Sequence, residues 1–192
     1  MARTQAADYE QRREAILDRA AELFASRGFN GASIADLAVS CATSKSLIYH
    51  YFPSKEDVLF EVMASHIDQL LIDTEEVIAT KGTDAEHFSR LIHAFLHHYA
   101  GAAERQKVLL NELANLPEAS RTIIVSKQRR IIDVMQHLVV ALYPEFAADP
   151  KRARVQTMLI FGMLNWTHTW YDPHGSVDVD TLADMILKTV IS

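Results

Sequence analysis

Two groups of side chains in this 192-residue sequence have the types and spacing to do chemistry. The first is Thr43-Ser44-Lys45-Ser46, followed by Tyr49, His50 and, beyond Pro53, Lys55. Short hydroxyls and an ammonium at the start of a helix suit the base edges of a DNA major groove. A tyrosine one turn later offers a ring to sugar and a hydroxyl to phosphate. His50 and Lys55 can add donors to the DNA backbone, and Ser33 supplies a further hydroxyl upstream.

The second group lies in the C-terminal half. His93 and His97 stand four residues apart on one helical pattern with Phe95 between them and His98 adjacent. Arg129 and Met135 occupy a later pattern, and Met158, Phe161, Asn165, Trp166 and Trp170 cluster on the next. A mixed aromatic and polar set can line a pocket for a small hydrophobic molecule. The same residues can equally be core or the seam between two subunits. Arg121, Lys127, Arg129 and Arg130 either face anionic phosphates or form a solvated basic face. The two histidines have metal-ligand spacing, but no carboxylate or thiolate completes a set beside them in sequence. No metal and no cofactor is the expectation.

The elements that must position these groups read as helices. Apolar residues make up 49% of the chain, and 6 glycines and 5 prolines leave few interruptions, a balance that favours an all-α fold. A first helix spans about Tyr9 to Arg27, with Ile16, Ala20, Leu23 and Phe24 on one stripe, Gly28 as its left-handed stop and Phe29 folding back. Ser33 with Asp36 forms a capping box for a second helix ending by Ser40, and Thr43 or Ser44 caps a third. Two short helices about three residues apart fit a helix-turn-helix. Ser54 and Asp57 open a long fourth helix reaching roughly Thr80, the natural link to the remainder. Further helices are expected at about 84–101, 104–115, 117–143, 150–171 and 178–191, divided by Gly101, Pro117, Pro144, Pro150 and Pro173-His174-Gly175. The expected division is a DNA-binding domain over 1–54 and a ligand-binding and dimerisation domain over 55–192.

Composition also excludes function classes. A net charge of −6, with seven Lys and Arg against eight Asp and Glu in the first sixty residues, rules out bulk attraction to nucleic acid; any DNA contact must be a local surface. The single Cys41 excludes an internal disulfide, and no export signal or membrane-length apolar run is present, so a cytoplasmic location is expected. The sequence carries no G-x-S-x-G elbow, P-loop or dinucleotide fingerprint, which argues against an enzyme, including one acting on thioesters.

The segments ILDRAAELFASRGFNGASIADLA and TSKSLIYHYFPSKEDVL, between Ile16 and Leu59, resemble the TetR family of bacterial repressors. The resemblance implies an N-terminal three-helix DNA-binding domain and a C-terminal helical domain whose last two helices pair with those of a second copy. It also implies operator contacts from the residues matching Lys45, Ser46, Tyr49, His50 and Lys55. Two positions depart from the family pattern: Ala42 and Ser46 replace common glycines, and Ala42 should be strained by about 1 kcal/mol if its backbone is left-handed. The stretch GMLNWTHTWYDPHG resembles members that respond to acyl-CoA or related catabolic thioesters, implying a repressor released from a palindromic operator by such an inducer. Release by drugs or free acids, as in regulators of efflux, is the alternative.

Overall fold

The computed structural model describes residues 2–191, with side chains from Ala7 onward. Among the described residues it holds nine α-helices and no strand, which is the expected all-α class. They are α1 (Ala2–Gly31), α2 (Ile34–Ser40), α3 (Lys45–Tyr51), α4 (Lys55–Ala79), α5 (Asp84–Gly101), α6 (Ala103–Asn111), α7 (Glu118–Leu142), α8 (Pro150–Trp166) and α9 (Val179–Val190). Short 3-10 turns follow α6, α7 and α8. The α-helical part of α8 stops at Trp166, five residues before the expected end, and a 3-10 turn over Thr167–Thr169 takes its place.

The chain forms two compact units, one of residues 1–66 with 104–124 and the other of 67–103 with 125–192. A cut after residue 54 would separate α4 from the core it helps to close, since Val58, Leu59, Val62 and Met63 are fully buried. It would also leave out α6, whose Arg105 joins the first unit by donating to Ser65 Oγ at 2.6 Å and Asp18 Oδ1 at 2.8 Å, with Glu14 as a third partner. The next residue, Gln106, is buried and hydrogen-bonded to buried His66 at 2.7 Å. The second unit has its own core, including Phe88, Leu91, Ile92, Met135, Leu138, Ile160 and Leu164.

Within the first unit, α1 is broken at Gly28, which sits at φ 71°, ψ 160°. That is the region open essentially to glycine alone, rather than the left-handed helical cap expected from sequence. The break turns Phe29 back onto Phe24, with ring centroids 5.5 Å apart. α2 then begins on a complete capping box. Ser33 Oγ accepts from the Asp36 backbone at 3.1 Å, and the Asp36 carboxylate accepts from the Ser33 backbone at 2.9 Å. These Ser33 bonds hold the Asp36 carboxyl below its ordinary range, so the cap persists until the pH falls through that lowered range.

The α2–α3 turn closes by backbone geometry. Thr43 N–H donates to Ala38 O at 2.9 Å and Ala42 N–H to Val39 O at 3.0 Å, the paired bonds of a Schellman cap. The residue at its left-handed position is Ala42, with φ 49°. A methyl group there costs about 1–2 kcal/mol, whereas glycine would add about 0.4–1 kcal/mol of freedom to the unfolded chain. Ala42→Gly is therefore expected to stabilise the protein by roughly 0.5–1 kcal/mol, a rise of about 1–4 °C in melting temperature by calorimetry. An unchanged or lower value would show that the strain has been relieved elsewhere in the turn.

Candidate DNA-binding face and effector residues

α3 is held by one side and presents the other. Ser44 is its N-cap, accepting from the Leu47 backbone at 3.2 Å, so this hydroxyl is committed to the helix. Ile48 is fully buried and Phe52, just past the helix, is nearly so. Lys45 and Tyr49 form one i, i+4 pair on the opposite side, Ser46 and His50 another, and all four are exposed, Tyr49 to 51%. Thr43 is half-buried at the turn. Ser33 is exposed, but its hydroxyl is already engaged with Asp36.

Lys55 is engaged inside the first unit. Its ammonium turns inward, donating to Phe29 O at 2.9 Å and Ala32 O at 3.0 Å, and it lies 4.0 Å from the centre of the Phe29 ring. These bonds satisfy carbonyls freed where α1 ends, and the ring face adds a cation–π attraction. The side chain thus fixes the entrance to α2. Sequence reasoning missed this because the partners lie 26 and 23 residues away.

The ten candidate effector residues fall into different surroundings. Phe95, Met135 and Phe161 are buried in the core of the second unit, Phe95 stacking on Phe161 at 6.2 Å. Met158, Trp166 and Trp170 are exposed, the tryptophans to 65% and 58%. Asn165 is half-buried and Arg129 is exposed. His97 Nε2 donates to Asp180 of α9 at 2.7 Å. His93 Nδ1 donates to Ser89 O at 3.0 Å while its Nε2 faces Asp184 at 3.5 Å. These two histidines brace α5 against α9, and the i, i+4 carboxylate pair on α9 was the signal that could have revealed it. Lys127 and Arg130, candidates for anionic phosphates, are paired with Asp68 and Glu75 of α4. Among the described residues no three His, Cys, Asp or Glu side chains converge as a metal site.

The half-buried Cys41 lies in the α2–α3 turn, and burial pushes its thiol up, away from the reactive thiolate. No described helix is long and apolar enough to cross a membrane.

Residues 16–62 match the family of bacterial regulatory proteins called tetR, and residues 81–192 match the tetracyclin repressor-like C-terminal domain. The chain belongs to the TetR family of transcriptional regulators. It is similar to the crystal structure of a TetR-family regulator from Bordetella parapertussis 12822, at 39% identity over 94% of each chain with a TM-score of 0.91. The transcriptional repressor KstR2 of Rhodococcus jostii (strain RHA1) is 26% identical over 94% of this chain and 89% of its own length. The fold is shared with AibR in complex with isovaleryl coenzyme A and operator DNA, with a TM-score of 0.81 at 23% identity over 93% of this chain and 97% of that one.

The different placements of these side chains separate their effects. Lys55→Met should cost about 1–2 kcal/mol of stability, from two lost charge-assisted bonds in a half-buried setting, and leave base preference unchanged. Tyr49→Phe should weaken all DNA sequences alike with no loss of stability, and changes at Lys45 or Ser46 should shift base preference. Thermal melts alongside a binding screen of single-base operator variants read both effects. Uniformly weaker binding to every DNA sequence with Lys55→Met at full stability would return that residue to the DNA backbone.

Proposed function

We propose that the protein is a cytoplasmic TetR-type repressor that grips a palindromic operator as a homodimer through α3 and releases it when a small hydrophobic inducer, a CoA thioester, binds the second unit. The observation that carries the reading is the exposed Lys45, Ser46, Tyr49 and His50 face of a helix anchored by buried Ile48. A dimer places two such helices about 34 Å apart, one turn of B-DNA.

Pairing of two copies is supported by α8. Val155, Met158, Leu159 and Trp166 follow one another at helical spacing and are exposed, with Met185 exposed on α9. An apolar stripe of this kind needs a cover, and a second copy of the same stripe is self-complementary. The inducer class is supported by the complex of AibR with isovaleryl coenzyme A and by the sequence resemblance to thioester-responsive members. Because Lys127 and Arg130 are already paired, CoA phosphates would draw on other cations, exposed Arg129 among them.

The test has two readouts. A ligand that prefers the native protein raises its melting temperature, and one that releases operator must itself be weakened by operator to the same factor. Isovaleryl-CoA and longer acyl-CoA esters are expected to raise the melting temperature and lower operator affinity in fluorescence anisotropy. Response to free acids or cationic drugs, with silence from thioesters, would replace the inducer class by that of an efflux regulator. Ligand binding with unchanged operator affinity would defeat the release mechanism.

A further inference from the structure

Beside the recognition helix lies an open cleft of about 770 Å³, with Gln11, Arg12 and Ala15 of α1 on one wall and Ala42, Thr43 and Leu47 on the other. We propose that this cleft holds a strand of operator sugar-phosphate backbone, with Arg12 and Gln11 as its phosphate contacts. The proposal rests on operator binding through α3 and extends that interface onto α1.

Three observations support it. The cleft is continuous with the DNA face, because Thr43 and Leu47 belong to the turn and helix that present Lys45 and Ser46. The first turns of α1 are held in register with α3 by an aromatic cluster: Tyr9 packs on Tyr51 with centroids 4.6 Å apart and meets the His50 ring edge-on at 6.4 Å. The third observation is charge. Arg13 is taken by Glu61 and Arg19 by Glu22, whereas Arg12 is exposed and forms no ion pair among the described residues. An unengaged guanidinium in a groove beside a recognition helix fits a phosphate, which accepts two parallel N–H bonds from it. Gln11 is exposed on the same wall and can donate from its amide.

One carboxylate, Asp8, also lines the cleft and opposes a phosphate there. The assignment therefore predicts opposite effects from two substitutions. Arg12→Gln should weaken operator binding, and Asp8→Asn should strengthen it. Each phosphate neutralised contributes about 0.9 to the slope of log affinity against log salt, so a dimer losing two Arg12 contacts should flatten by about 1.8. Arg12→Lys should restore most of that slope, since it returns the charge without the fork.

The experiment measures operator and scrambled-duplex affinity of the full-length protein between about 50 and 200 mM salt for the wild type and these three variants. Flattening in Arg12→Gln, recovery in Arg12→Lys, tighter binding in Asp8→Asn and an unchanged operator preference are expected. An unchanged slope in Arg12→Gln, with wild-type operator binding intact, overturns the assignment. A wild type that does not distinguish operator from scrambled duplex would instead defeat the proposed function. Both side chains are exposed, so the variants should melt at the wild-type temperature, and that measurement separates a lost contact from a folding defect.

Discussion

The first unit depends on how α1 is made to stop. A helix that breaks in a packed domain leaves carbonyls without partners, and buried carbonyls without partners are costly. Gly28 breaks α1 in a conformation closed to other residues, Phe29 returns to Phe24, and Lys55 collects the carbonyls of Phe29 and Ala32 from the start of α4. One ammonium thus ties the end of α1 to the beginning of α4, with α2 and α3 in the loop it closes. α3, which presents Lys45 and Tyr49, lies within the segment so closed.

A second tie acts further along α4. Arg105 reaches Glu14 and Asp18 of α1 as well as Ser65 of α4, and Gln106 pairs with His66 inside the core. α6 thereby belongs to the same unit as the recognition helix, although it follows α5 in the chain and α5 belongs to the other unit. α4 itself is 25 residues without interruption, about 37 Å of stiff helix, and is shared between the units. α4, α7 and the α5–α6 junction are the places where the chain passes between the two units. The clasp at Arg105 is where α6 meets α1.

Local chemistry made most of the fold legible in the sequence. The S-x-x-D caps, the glycine stop and the prolines each act within four or five residues, and the helices formed close to where those signals lie. The polar face of α3 was legible for the same reason, since i, i+4 spacing fixes what shares a side. Lys55, Arg105 and the His93 and His97 braces were not, because each depends on a partner brought close only by folding. The different surroundings of the effector candidates were not legible for another reason. α8 is apolar on two faces, one against its own core through Ile160 and Leu164 and one exposed through Val155, Leu159 and Trp166. Periodicity identifies apolar residues without telling which side meets the interior, so Trp166 and Phe161 looked alike.

The placement of the tryptophans has an optical consequence. The chain has only two, and both stand near the end of α8 with most of their surface open. Intrinsic fluorescence of this protein is therefore a local probe of the second unit, with a red-shifted emission whenever that surface is wet. Covering it with another subunit would move the emission to the blue, and the first unit, which holds no tryptophan, adds nothing to that signal. Assembly thus carries its own spectral signature in the unlabelled molecule.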